Sequence, residues 1–268
     1  MGTREPKNVE AKTCSKGPGS ANLDRVFLGS GVMAVIDGAT PKSPRQESDT
    51  ARFLSAIVRA LSVADYEELS PTGFLEECAR QIERVGPFSR ALDEMPSATV
   101  AVVSGYCQQV WRLGDPWIAI DGVVNSPRHE REEEIAGRRA ARVREILGSG
   151  VSVADIKCED LARQELMDDL RALSKWRNHP SGSGFGALDA SEPSIDYLEI
   201  WSLPDGSAEV VLATDGYLSP APTLMDAERE LADRIRNDPL MISSPPATKG
   251  VMLNAESFDD RTYLRVEI

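Results

Sequence analysis

Apolar positions recur along the chain with two different periods. Residues 26–36, "VFLGSGVMAVI", place β-branched and aromatic side chains in two short runs around Gly29 to Gly31, which predicts a pair of strands. The period then lengthens. In "ESDTARFLSAIVRALSVA", Phe53, Ile57, Ala60 and Leu61 return at helical spacing behind Ser48 or Asp49 as N-cap. A second helix is expected from Pro71, which suits a first helical turn, through "TGFLEECARQIERV". "SATVAVVSGY" and "QQVWRLGDPWIAID" run apolar over strand lengths with a polar turn near Cys107, as a hairpin would.

From Glu130 to about Lys175 the chain becomes charged and helical, and this 130–175 segment reads as solvated amphipathic helices or as a partner-binding surface. A Gly- and Ser-rich loop over 179–195 follows. "IDYLEIWSL" and "AEVVLATDG" read as a further hairpin turned at Pro204-Asp205-Gly206, before the helix "TLMDAERELADRIRN" and the last strand "TYLRVEI". The order β, αα, several β, αα, β, α, β lacks the strict alternation of a parallel sheet. It predicts an α+β fold: antiparallel sheets with helices on their outer faces. Residues 1–19 are expected to be a flexible segment and residues 20–268 a single domain.

Charge narrows the partners. The 268 residues carry 30 Lys and Arg against 43 Asp and Glu, a net charge of -13, so the field repels nucleic acid and anionic membrane surfaces. No stretch approaches the ~18 apolar residues of a membrane span, and Pro6 breaks the myristoylation pattern that Met-Gly begins. The scattered Cys14, Cys78, Cys107 and Cys158 make no disulfide framework, which predicts a reducing, cytoplasmic setting. His129 and His179 read as surface and loop residues rather than catalytic bases.

The candidate chemistry lies in the aspartates. Asp-Gly is first of all a turn signal, and that reading covers Asp121-Gly122 and Asp205-Gly206. Asp37 and Asp215 differ, because each closes a strongly apolar run, "VMAVI" and "VVLAT", and so emerges at the edge of a core. Carboxylates gathered there raise one another's pKa unless a cation neutralises them, and Mg²⁺ or Mn²⁺ favours such oxygen ligands. Asp115 in "LGDPW" and Asp259 with Asp260 in "SFDDRTYL" occupy similar positions.

Five segments, "VIDGAT", "PSATVAVV", "WRLGDP", "VLATDGY" and "DDRTYLRV", stand in the order and rough spacing of the metal-dependent PPM/PP2C-type Ser/Thr protein phosphatases. The resemblance spans about residue 20 to 268 and implies a four-layer α/β/β/α sandwich, two mainly antiparallel sheets flanked by helices. It implies two Mn²⁺ or Mg²⁺ ions, with room for a third. Asp37 resembles the bridging ligand and Gly38 the residue that offers its carbonyl; Asp215 and Asp259 resemble further ligands. Asp115 resembles a ligand of the weaker third ion. Asp24, in "SANLDRVF", reads either as the acidic residue of the first family motif or as a turn residue.

The chain also departs from the pattern. Gly19 stands at the phosphate-binding arginine of the first motif, leaving Lys16 as a substitute; Ala39-Thr40-Pro41 replaces a glycine pair, Pro116 a serine and Asp260 an asparagine. Phosphoryl transfer needs positioning and charge neutralisation more than a nucleophilic side chain, which suits a chain without a catalytic-looking His or Cys. The resemblance therefore implies a signalling hydrolase: a monomeric protein phosphoserine/phosphothreonine phosphatase with Asp37 and Asp215 at the chemistry. A catalytically weak regulatory or binding module and a phosphatase of a small phosphorylated metabolite stay open beside it.

Overall fold

A computed structural model describes residues 3–127, 130–191 and 194–268, with the side chains of residues 44 and 45 left out. His129, like Met1 and Gly2, lies outside the described residues. The strands are β1 (Lys7–Cys14), β2 (Arg25–Leu28), β3 (Val32–Gly38), β4 (Ser97–Ser104), β5 (Gln109–Leu113), β6 (Trp117–Ile120), β7 (Val123–Asn125), β8 (Leu188–Asp189), β9 (Leu198–Ser202), β10 (Glu209–Ala213) and β11 (Arg261–Glu267). The α-helices are α1 (Pro44–Val63), α2 (Pro71–Val85), α3 (Glu130–Gly148), α4 (Val153–Cys158), α5 (Leu161–Glu165), α6 (Met167–Ala172) and α7 (Leu224–Asn237). One sheet runs β1-β11-β10-β6-β7; the other runs β2-β3-β4-β5-β9, with β8 added to β4.

Alternation within the central strands builds the layers, since successive side chains point to opposite faces. On β3, Met33 and Val35 face the other sheet, where they join Ala101, Val103, Leu212, Leu264 and Val266. Val32, Ala34 and Ile36 face outward onto Phe53, Ile57, Leu61 and Phe74 of α1 and α2. Across the molecule, Val211, Ala213 and Tyr263 face Ala227 and Leu231 of α7. Both faces of these strands are dry, so they read as near-continuous apolar runs. The result is the α/β/β/α sandwich.

Three expectations change. The N-terminal segment is not a flexible tail: Lys7–Cys14 pairs antiparallel with β11, its half-exposed pattern marking an edge strand that too few apolar residues announced. The hairpin near Cys107 is present as β4 paired with β5, but the apolar run after that turn is two strands in different sheets, and the apparent hairpin at Pro204-Asp205-Gly206 is a crossing between sheets. The chain leaves β5 for β6 in the other sheet at Gly114-Asp115-Pro116, and leaves β9 for β10 around Pro204 to Ser207, because β9 pairs with β5 whereas β10 pairs with β6 and β11. Helix α1 starts earlier than expected, with Ser43 as N-cap and Pro44 in the first turn.

Candidate active site

Asp37 lies opposite Thr99 in the β3–β4 register, and the Thr99 hydroxyl donates to an Asp115 carboxylate oxygen at 2.7 Å. The sheet crossing after β5 thus brings Asp115 alongside Asp37. Asp215 follows β10, where the Thr214 amide donates to the Thr262 carbonyl at 2.9 Å. Two glycines are sterically required. A Cβ on Gly38 would stand 2.5 Å from the Leu23 carbonyl oxygen, and one on Gly216 would stand 1.9 Å from that of Asp260. The second approach seats Asp215 against the Asp259-Asp260 segment. By contrast, Asp121-Gly122 is a solvent-side turn with positive φ at both residues.

Asp37, Gly38, Asp115, Asp215 and Asp259 line one cavity of about 400 Å³. Its walls also carry Lys42, Arg163 and Lys249, with Leu170, Leu173 and Phe185 as apolar lining. The charged 130–175 segment thereby supplies one side of the cleft through Glu132, Arg163 and Leu170, and the 179–195 loop contributes Phe185 and Ala187. Asp24 is not in the lining. It is buried behind the cleft, where one oxygen accepts from the Thr214 hydroxyl at 2.7 Å. Lys16 is also absent from the lining: its amide caps an Asp260 oxygen at 2.8 Å and its carbonyl accepts from Glu256 and Ser257.

Burial pushes the Asp37 carboxyl well above the usual carboxylate range, and the charges of Asp215, Asp24, Asp115 and Asp259 add to it. Asp215 is open to the cavity, yet the surrounding protein still leaves it poorly solvated; that, followed by Asp259 and Asp115, raises its pKa in the same direction. Asp24 is pushed up to about 7, by burial first and by Asp259 and Asp260 against the opposing Thr214 hydrogen bond. Between about pH 4 and pH 7 the folded, metal-free chain therefore holds a proton on Asp24 that the unfolded chain releases. Its stability is expected to fall as pH rises through that window. Thermal melts in EDTA from pH 4 to pH 8 check this, and a melting temperature that rises from pH 5 to pH 8 would contradict it.

Like charges crowded in a poorly solvated site call for a cation, and the carboxylates divide on this point. Asp37 and Asp215 line the same cavity, and neither carboxylate receives a hydrogen bond or ion pair among the described residues. Their all-oxygen chemistry suits a hard divalent ion. Asp259 already pairs with the Lys249 ammonium, which also donates to the Thr40 hydroxyl at 2.9 Å. Among the described residues no group of three or more His, Cys, Asp or Glu side chains closes around a metal position. The donor set fits one divalent ion at Asp37 and Asp215 and does not fit a second at Asp259 as that residue stands.

The cations of the cleft were not legible in the sequence. Lys42 lies five residues past Asp37 and Lys249 in the proline-rich "SSPPATKG"; no periodicity tells that either returns to the aspartates. Lys42 makes no ion pair or side-chain hydrogen bond among the described residues. Burial lowers its pKa to about 8, with Glu132 opposing and Arg163, Arg177 and Lys249 reinforcing.

No family model and no curated protein matches the chain. Solved structures that it resembles over nearly its whole length are PPM-type phosphatases. A PPM Ser/Thr phosphatase of Mycobacterium smegmatis, MsPP, in complex with cacodylate, shares 17% identity at a TM-score of 0.46, covering 98% of this chain and 99% of that one. PppA, a regulatory component of the T6SS in Pseudomonas aeruginosa, shares 15% identity at 0.47, covering 98% of each. The catalytic domain of the phosphatase PstP in complex with two manganese ions shares 13% at 0.41, covering 97% of each. With every one of these TM-scores below 0.5, the likeness assigns neither activity nor metal to this chain.

Proposed function

We propose that the chain is a metal-dependent phosphomonoester hydrolase acting on phosphoserine or phosphothreonine in proteins, as the sequence resemblance implies. The observation that supports this best is the meeting of Asp37 and Asp215, poorly solvated and unpaired among the described residues, with the half-buried cations Lys42 and Arg163 in one cavity. A divalent ion held by Asp37 and Asp215 would supply Lewis-acid charge and lower the pKa of a water. The chain's own residues do the rest. Lys42, with no carboxylate partner among the described residues, binds the substrate phosphate, and Arg163 in the same lining adds positive charge; this assignment replaces Lys16. Phe185, Leu170 and Leu173 give the cleft an apolar side that keeps water away from the bound phosphoryl group.

Removing a charged hydrogen bond to a phosphate costs about 1.5–3 kcal/mol. Lys42→Met is therefore expected to raise KM for an aryl phosphate about 10- to 100-fold with a smaller change in kcat. Because the Lys42 pKa lies at about 8, kcat/KM should fall as pH rises through that value, and Lys42→Arg should remove the inflection. A Lys42→Met enzyme with unchanged KM would move the phosphate site elsewhere. A regulatory module, favoured by Gly19 at the arginine position and by the Lys249–Asp259 pair, would bind Mn²⁺ without turning over phosphopeptides or aryl phosphates.

A further inference from the structure

The place of Lys249 is fixed by the structure around it. Arg139 on α3, paired with Asp160 at 2.6 Å, donates to the Leu240 and Ala247 carbonyls at 3.0 and 3.1 Å and so anchors both ends of the turn that leads to Lys249. On the far side, the Val251 amide donates to the Pro239 carbonyl at 2.9 Å and the Leu253 amide to the Lys157 carbonyl at 2.7 Å. The segment is held at both flanks, and the ammonium it carries reaches Asp259 and Thr40.

Thr40 belongs to the argument as much as Lys249 does. It follows Asp37-Gly38 at a position with no hydroxyl in the resembled pattern, and its oxygen accepts the second Lys249 contact at 2.9 Å. An ammonium against Asp259 opposes a divalent ion there twice over. It takes one carboxylate oxygen while the Asp260 amide donates to the other at 2.9 Å, and its charge repels a second cation in a medium that screens poorly.

We infer that Lys249 is a resident cation that takes the place of one divalent ion, leaving a single Mn²⁺ or Mg²⁺ site at Asp37 and Asp215. The inference rests on the metal-dependent reading above and restricts it: Asp37 and Asp215 would hold the one ion, which would supply Lewis-acid charge, while Lys249 supplies fixed charge on the Asp259 side. Thr40 is the positioning residue for that ammonium.

Mn²⁺ titration of the full chain by calorimetry, with low-temperature electron paramagnetic resonance of the loaded protein, tests it without any turnover measurement. The wild type should take up one tightly bound Mn²⁺ with the six-line signal of an isolated ion. Lys249→Met should gain a second Mn²⁺ with at least 10-fold tighter affinity than any second binding by the wild type, and with a spin-coupled signal. Lys249→Gln, which keeps a donor for Thr40, should behave alike, so a folding failure of the methionine variant leaves the test in force. Two ions bound with comparable affinity by the wild type would overturn the inference and leave the metal-dependent reading intact. No Mn²⁺ bound by wild type or variants would overturn both.

Discussion

Asp37→Asn is expected to abolish phosphomonoester hydrolysis and, at the same time, to stabilise the metal-free protein. The two effects have one cause. Asp37 is poorly solvated and feels the charges of Asp215, Asp24, Asp115 and Asp259, so the charge needed to hold a divalent ion is a charge the metal-free fold bears at a cost. A metal ion supplies several kcal/mol of transition-state stabilisation, so turnover should fall at least ~1,000-fold. In EDTA at pH 8 the variant should melt above the wild type. Saturating Mn²⁺ should raise the wild-type melting temperature and leave that of Asp37→Asn unmoved. A variant that melts below the wild type in EDTA would show that Asp37 is paired in a way the cleft does not explain.

The second large effect lies away from the cleft. Arg139 and Asp160 are only 1% and 5% exposed, and the guanidinium also satisfies the carbonyls of Leu240 and Ala247. Removing one partner of a buried pair leaves the other charge uncompensated, at about 3–5 kcal/mol. Arg139→Met should therefore lower the melting temperature by on the order of 10 °C. Asp160→Asn added to Arg139→Met should recover part of that loss, because the orphaned charge goes while the side-chain oxygen that caps the Arg163 amide is kept and the two carbonyls stay without their donor. A double variant no more stable than Arg139→Met would place the loss in the loop contacts instead of the ion pair. Thermal melts of the three proteins decide between them.

The layered fold was legible because the central strands are apolar on both faces and the helices on one. Val32 to Ile36 announce a dry strand, and Phe53, Ile57 and Leu61 the helix that covers it. Pairing was less legible. A tight turn at Pro204-Asp205-Gly206 looks the same in sequence whether the strands on either side pair with each other or part to different sheets. Edge strand β1 was hidden because its alternation is half polar. In the cleft, Asp37 and Asp215 stood out since each ends a buried run, whereas Lys42, Arg163 and Lys249 come from loops and a short helix with no pattern to mark their return. Lys16, chosen by its nearness in sequence to the first motif, is tied instead to the Glu256–Asp260 segment.

The most direct test of the central claim, that Asp37 and Asp215 hold a divalent ion for phosphomonoester hydrolysis, is the hydrolysis rate of an aryl phosphate with Mn²⁺ and with EDTA. The wild type, Asp37→Ala and Asp215→Asn should be measured side by side. Turnover should appear with Mn²⁺, vanish in EDTA, return when Mn²⁺ is restored, and be absent from both variants. Turnover that persists in EDTA and in both variants would contradict the claim.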